Sequence, residues 1–255
     1  MDNSVMRSDM PRICANHAAA AIIFDLDGTL VDDEHAVEIA PETFRSQYRE
    51  WLPMSSQDLK RQWMALLDLH FGRYLAGEIS MQEQRRARLR DVFETAIPVL
   101  PDKHADEMFA VYERAYRQAW IPFSDAVPAL AALTPFRLAV LTNGDLAHQV
   151  EKLQNAGLLE YFTDVFASSE IGFAKPHPEA FQEACRRLGI EPGRCIYIGD
   201  NLKTDAEGSF AAGLVSVWLN RVPSGEIPSE GISIIHSLAE LPELLRANGR
   251  LDGLL

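Results

Sequence analysis

Apolar residues in this chain follow two different periods. Ala18 to Phe24 is an unbroken apolar run of seven residues that Asp25 stops. Its Ala20–Phe24 part has no polar alternation, which predicts a strand buried on both faces in the middle of a parallel sheet. The next run of this kind, Leu138 to Leu141, arrives more than a hundred residues later. Strand-to-helix loops usually take ~2–6 residues, so a separate unit is inserted between the two runs. Within it the spacing becomes helical. Leu59, Trp63, Leu66, Leu67, Phe71 and Tyr74 lie on one stripe of a helix over 57–76. Ser80-Met81-Gln82-Glu83 has the form of a capping box opening a helix to about Ala96. Met108, Val111, Tyr112 and Ala115 mark another over His104–Trp120, and Pro53, Pro98, Pro101 and Pro122 punctuate the series. The insert is predicted to be a bundle of about four helices over residues 35–121, with hinges near Asp33–Ala36 and Ile121–Asp125.

After the insert, strand and helix alternate. Leu138–Leu141 precedes a helix over Leu146–Asn155, and Asp164–Ala167 precedes one over Glu179–Leu188. Cys195–Ile198 leads to a helix over Thr204–Ala212, followed by strand-like Leu214–Leu219, strand-like Ile232–Ile235 and a helix over Leu238–Arg246. This alternation predicts an α/β fold, a parallel sheet with helices on both faces. The sheet domain comprises residues 18–34 and 122–255, and residues 1–17 are expected to be a flexible tail. In such sheets ligands bind at the carboxyl ends of the strands.

Composition narrows the possible partners. The 255 residues carry 24 Lys+Arg against 37 Asp+Glu, a formal net charge of −13. A surface of that sign argues against nucleic acid and anionic membrane, both of which need clustered basic residues. The charge is uneven, however. Residues 35–122 hold 12 Lys+Arg and 13 Asp+Glu, so almost all of the acidic excess lies in the sheet domain. The first apolar run is far short of the ~18–20 residues a membrane span needs, and the polar Asp2-Asn3-Ser4 start does not resemble a signal peptide. Cys14, Cys185 and Cys195 form no CxxC pair, which suits a reducing compartment. The expectation is a cytoplasmic protein.

Four strand ends carry chemistry. The first run ends in Asp25-Leu26-Asp27-Gly28-Thr29. It places two carboxylates at one strand terminus, with Gly28 permitting a sharp turn and Thr29 able to orient the acids by a hydrogen bond. The second ends in Thr142-Asn143-Gly144, where a hydroxyl and successive backbone N–H groups can receive phosphate oxygens. Ala174-Lys175-Pro176-His177-Pro178 fixes a lysine by its base just before a helix. Ile198-Gly199-Asp200, with Asp205 five residues on, supplies the carboxylate oxygens that Mg²⁺ prefers.

In this order, DxDGT, TN, KP and GDxxxxD, the motifs resemble the haloacid dehalogenase (HAD) superfamily of hydrolases, most of which are phosphatases. The resemblance covers nearly the whole chain after the tail. It implies a Rossmann-like core with an all-helical cap inserted after the first motif, where the long gap was found. It also implies Asp25 as nucleophile, Asp27 as general acid/base, and Thr142 and Lys175 as catalytic phosphate binders, with Gly28 and Asn143 also at the phosphate. Mg²⁺ would be held by Asp25, Asp200 and the backbone carbonyl of Asp27, and Asp205 would support Lys175 or the metal. An acid at position 27 separates phosphatases from the dehalogenases and phosphonatases of the family. The stretches Gly199–Asp205 and Val217–Arg221 are similar to the branch containing N-acylneuraminate-9-phosphatases, pyrimidine nucleotidases and phosphoglycolate phosphatases. The implied activity is Mg²⁺-dependent hydrolysis of a small phosphorylated metabolite, a sugar phosphate or nucleoside monophosphate, through an aspartyl-phosphate. Two alternatives are a sugar-phosphate mutase, for which His35 lies near the required position but Val37 occupies it, and a non-catalytic binding protein. His70 and the Arg85-Arg86-Arg88-Arg90 cluster are candidates for substrate choice, against a core histidine and a solvated basic face.

Overall fold

A computed structural model of the chain describes residues 20–247, so the expected tail over residues 1–17 and Cys14 lie outside the described residues. The chain divides into two compact units, one of residues 20–32 with 122–247 and the other Asp33–Ile121.

The first unit is built on β1 (Ala21–Phe24), whose four residues are all buried. The inserted unit contributes α1 (Asp33–Gln47), α2 (Ser56–Leu75), α3 (Met81–Phe93) and α4 (Asp102–Gln118). The chain then continues through α5 (Ala126–Ala132), β2 (Arg137–Thr142), α6 (Leu146–Asn155), β3 (Asp164–Ala167), α7 (Ser168–Ile171) and α8 (Pro178–Leu188). It closes with β4 (Cys195–Gly199), α9 (Gly208–Ala211), β5 (Val215–Leu219), β6 (Ser233–Ile235) and α10 (Leu241–Ala247). The sheet is parallel with strand order β3-β2-β1-β4-β5-β6. β1 lies inside the sheet between β2 and β4, where its continuous apolar run is buried on both faces. Phe24 is in register with Val140 on one side and Ile198 on the other, so the next residues of all three strands emerge at one edge. The order reverses about β1, which makes that edge a topological switch point.

The short α7 was not expected, and two further elements depart from the expected pattern. The helix expected over Thr204–Ala212 is divided into a π-type turn, Leu202–Glu207, and α9. Asn201 caps the turn by accepting from the N–H groups of Lys203 and Thr204, while Asp205 turns inward and is buried. The wider turn lets an acid face the interior where a regular helix of this polarity would face water. The short α5 was not expected, because Ala126–Ala132 offers almost no polar contrast from which to read a period. No helix among the described residues is long and apolar enough to cross a membrane.

The inserted unit is a four-helix bundle with an aromatic centre. Trp63 and Tyr112 have ring centroids 4.2 Å apart, and Phe44 lies 5.5 Å from Trp63 and 5.9 Å from Phe93. Ser55 and Ser80 cap α2 and α3 by accepting from the N–H groups of Asp58 and Glu83, as the capping pattern at Ser80 predicts.

The chain rejoins the sheet unit through a pinned segment. Val31 bridges Pro122, and Phe123 N–H donates to Leu30 O at 3.0 Å. Arg221, just beyond β5, stacks over Phe123 at 3.8 Å and donates to the carbonyls of Gly28 and Thr29. Its guanidinium also makes a forked pair with Asp125, at 2.9 and 3.0 Å. Asp125 accepts in addition from Ser237 Oγ and Leu238 N–H; although burial opposes its charge, these donors hold its carboxyl below the ordinary range. One arginine thus ties the first turn, the returning chain and the C-terminal segment together. Arg221→Ala removes the charged partner of Asp125, which keeps only Ser237 Oγ and Leu238 N–H as donors, and takes the arginine donor from two carbonyls. It should lower stability by about 3 kcal/mol, the scale for breaking a mostly buried pair, measured as a shifted denaturant midpoint with an unchanged far-ultraviolet spectrum.

Candidate active site

β1 delivers Asp25 to the switch-point edge. Its N–H is held by Ile198 O at 2.8 Å, which extends the strand pairing one residue past Phe24. The chain then turns at once: Gly28 N–H donates to Val31 O at 2.9 Å, and Val31 N–H donates to Leu26 O at 3.0 Å. Gly28 has φ +77°, and a Cβ there would lie 2.5 Å from Asp200 Oδ2. Glycine therefore serves both the turn and the approach of Asp200. Gly199, at the end of β4, has the same importance for Asp205, whose Cβ would be only 2.4 Å from any added methyl.

Lys175 is the centre of the site. Its Nζ donates to Asp25 Oδ1 at 2.6 Å, to Asp205 Oδ1 at 2.7 Å and to Tyr197 Oη at 2.9 Å, engaging all three ammonium protons. The Tyr197 hydroxyl lies 3.1 Å from both Leu141 O and Asp205 Oδ1, to either of which it can donate. Asn143 fixes the lysine from behind: its side-chain amide donates to Lys175 O and accepts from Lys175 N–H, at 3.0 and 2.8 Å. The sequence motif placed Asn143 at the phosphate, but its side chain is committed to the backbone of Lys175. Thr142 ends β2 buried, its hydroxyl 3.4 Å from Asn143 O.

Burial sets the electrostatics. Removal from water raises the Asp25 carboxyl well above its ordinary range, an effect Lys175 opposes and Asp205 and Asp200 reinforce. Burial and then Asp205 likewise push Asp200 up to about 6. Burial works against the charge of Lys175, yet Asp25 and Asp205 hold it up at about 12. Three carboxylates against one ammonium leave two negative charges in excess. Asp25, Asp200 and Asp205 each offer an oxygen within 4.8 Å of the others, which suits one divalent cation. Asp205 is the least available of the three, because Oδ1 takes Lys175 and Oδ2 takes the Asn201 N–H at 3.0 Å. Asp25 takes Lys175 on Oδ1 and Asp200 takes the Thr29 hydroxyl on Oδ1, which leaves each a second carboxylate oxygen. The donor set therefore fits a cation held by Asp25 and Asp200, with Asp205 supporting Lys175.

Asp27 stands outside that cluster. Its carboxylate accepts from Lys152 Nζ at 2.6 Å and from Gln149 Nε2 at 3.3 Å, both on α6. Thr29, expected to orient the two acids of its own motif, instead donates to Asp200 Oδ1 at 3.1 Å. Lys152, Gln149 and Tyr197 are the residues that motif reading missed. Lys152 is a fully buried charge on an otherwise ordinary amphipathic helix, and Tyr197 sits in an apolar strand where its hydroxyl leaves no mark on the pattern.

In the inserted unit the arginine cluster resolves into pairs. Arg86 bonds Asp102 and Asp106, Arg90 bonds Glu83 and Asp102, and Arg85 lies 3.2 Å from Glu113. Arg88 differs: it is buried, with its guanidinium 5.0 Å from the Trp63 ring and 5.1 Å from the Phe109 ring. His70 Nε2 pairs with Asp91 Oδ2 at 2.7 Å.

Comparison with known proteins follows the same lines. A family model described as a haloacid dehalogenase-like hydrolase matches residues 19–213. Glyceraldehyde 3-phosphate phosphatase of Methanopyrus kandleri is 37% identical over 136 residues, 47% of this chain and 58% of the relative. N-acylneuraminate-9-phosphatase of Mus musculus is 35% identical over 151 residues, 57% of this chain and 60% of the relative. The chain therefore aligns with somewhat more than half the length of these curated relatives. Among solved structures, the HAD-hydrolase YfnB of Bacillus subtilis bound to magnesium superposes with a TM-score of 0.68 at 24% identity, over 90% of this chain and 99% of that one, which shows a common fold.

A raised carboxyl makes folding favour the protonated form. Asp200, near 6 when folded and ~3.9 when unfolded, stabilises the fold below about pH 4 and loses that contribution as pH rises through about 6. In EDTA, the melting temperature of the wild-type protein should therefore fall between pH 5 and pH 7. Asp200→Asn should flatten this trend and raise the melting temperature at pH 7.5 by ~2–6 °C, followed by scanning calorimetry.

Proposed function

The chain belongs to the haloacid dehalogenase-like hydrolases, and from that premise we propose that it is a Mg²⁺-dependent phosphatase of small phosphorylated metabolites that works through an aspartyl-phosphate. The observation that carries this reading is the sorting of carboxylates. Asp25 is buried against Lys175 beside a two-charge excess, while Asp27, two residues on, is held apart by its own lysine. One acid is placed to attack and the other to move a proton, which is the division that phosphomonoester hydrolysis needs.

Phosphate monoesters hydrolyse extremely slowly without a catalyst, and an anionic nucleophile is repelled by a phosphate dianion. Lys175, already 2.6 Å from the attacking carboxylate, reduces that repulsion where the phosphoryl group lands. The buried Thr142 hydroxyl and the adjoining main chain orient the phosphoryl oxygens. Mg²⁺, when bound by Asp25 and Asp200 with the backbone carbonyl of Asp27, supplies further positive charge at those oxygens. An Asp25 oxygen bonds to phosphorus as the bond to the leaving oxygen breaks, and the Asp27 carboxyl gives that oxygen its proton. Water then attacks phosphorus, Asp27 takes the proton of that water, and the Asp25–phosphorus bond breaks to release inorganic phosphate and free carboxylate.

Relatives named for glyceraldehyde 3-phosphate and for an N-acylneuraminate 9-phosphate support a sugar-phosphate-sized substrate. The helical insert is the natural source of substrate choice and serves as a cap. The −13 charge does not oppose a phosphate ligand, since such a ligand answers to one lysine and one cation, and it remains unfavourable for nucleic acid. The described cysteines, Cys185 and Cys195, are buried free thiols, in keeping with a cytoplasmic enzyme.

The purified protein should release phosphate from p-nitrophenyl phosphate with Mg²⁺, and EDTA should abolish this until Mg²⁺ is restored. Asp25→Asn should lower single-turnover cleavage by roughly 10³-fold or more, and Asp27→Asn should slow both phosphorylation and phosphate release. Normal single-turnover cleavage by Asp25→Asn would refute the reading.

A further inference from the structure

Asp27 alone would be poorly suited to deliver a proton. Its side chain retains 35% of its exposure, and it lies two residues from a cluster with an excess of negative charge that attracts cations. A short, half-exposed carboxylate in that place is free to change rotamer unless something holds it. Two donors from one helix do so. Lys152 Nζ takes Oδ1 at 2.6 Å, and Gln149 Nε2 takes Oδ2 at 3.3 Å while also reaching Asn143 O at 3.2 Å. The two residues are three apart on α6 and therefore share a face. Both side chains are almost wholly buried, so neither wanders.

The helix is itself fixed at its start, directly after the catalytic strand end. Asp145 caps it by accepting from His148 N–H at 3.0 Å, and Ser169 Oγ accepts from Leu146 N–H at 3.1 Å. The link from Thr142 to Lys152 is thus a strand terminus, a capped turn and two helical turns. Burying a lysine at 1% exposure is costly unless a specific partner repays it. One such partner here is Asp27, the acid that the proposed mechanism requires to face the leaving group.

We propose that Lys152, assisted by Gln149, is a positioning residue for Asp27, gripping its carboxylate by both oxygens so that its proton is delivered to the leaving oxygen. This inference rests on the phosphatase reading above. In this role Lys152 acts through Asp27 rather than on the substrate. As the phosphorus–oxygen bond breaks, the proton passes from Asp27 to the leaving oxygen, and Lys152 retains its own.

The distinguishing readout is dependence on the leaving group. p-Nitrophenolate departs without a proton, whereas an alkoxide needs one. Lys152→Met should lower the single-turnover rate of leaving-group release from a simple alkyl phosphate at least tenfold more than that from p-nitrophenyl phosphate. Gln149→Ala should give a smaller split in the same direction, and it serves as the test should Lys152→Met fail to fold. In an Asp27→Asn background, Lys152→Met should add nothing to the alkyl deficit, the non-additivity expected of a residue acting through its neighbour. Equal losses on both substrates, or a further alkyl-specific loss in the Asp27→Asn background, would overturn the proposal and leave the pair as a structural one. Failure of the phosphatase reading would look different: the wild type would show no aspartate-dependent release from either substrate.

Discussion

The whole site depends on one buried ammonium. Lys175 lies between Asp25 and Asp205 with every proton engaged, and nothing else among the described residues neutralises those two acids. Two charged carboxylates in a buried strand end would otherwise repel each other and lose their hydration. The surrounding architecture makes that single contact possible. Asn143 clamps the lysine backbone, Tyr197 receives the third proton, and Gly199 leaves room for Asp205 to come close. The π-type turn at Leu202–Glu207 turns Asp205 inward to meet it.

Lys175 neutralises only part of the charge, and the part left over is what the proposed cation would balance. Asp200 is drawn in by Thr29 and by the space above Gly28, so that a carboxyl raised to about 6 sits beside Asp25. A site with two lysines there would be better balanced and would have no use for a divalent ion. On the proposed reading, stability and function pull in opposite directions at Asp200, a common feature of residues placed for chemistry. Arg221 compensates structurally from below, holding the turn carbonyls of Gly28 and Thr29 while its fork with Asp125 anchors the returning chain.

The sequence was informative where a physical requirement leaves a local trace. A strand buried on both faces must be continuously apolar, and Ala21–Phe24 is. A sharp turn after it needs a glycine, and a lysine anchored before a helix is flanked by proline. The insert betrayed itself through a gap too long for a loop. What could not be read are relations between distant positions. Thr29 belongs to the motif of Asp25 and Asp27 but bonds Asp200, 171 residues away. Lys152 finds Asp27 across 125 residues, and nothing in its helical period marks it as buried. Arg85, Arg86, Arg88 and Arg90 look alike in sequence, yet three meet acids of other helices or turns while Arg88 enters the aromatic core. Their difference is one of partners, and partners are set by packing.

These relations give the chemistry its direction. Asp25 and Asp27 are two residues apart on one strand end, so backbone geometry alone would give them similar surroundings. Each is instead claimed by a different lysine from a different element: Lys175 from the loop before α8, and Lys152 from α6. The first lysine is shared with Asp205 in a buried, overcrowded cluster whose remaining charge calls for a cation. The second faces a half-exposed acid together with an uncharged amide, leaving that acid outside the cluster. Separate counter-charges for neighbouring acids thus give a doubled carboxylate two distinct environments, the division that the proposed roles of nucleophile and proton carrier require.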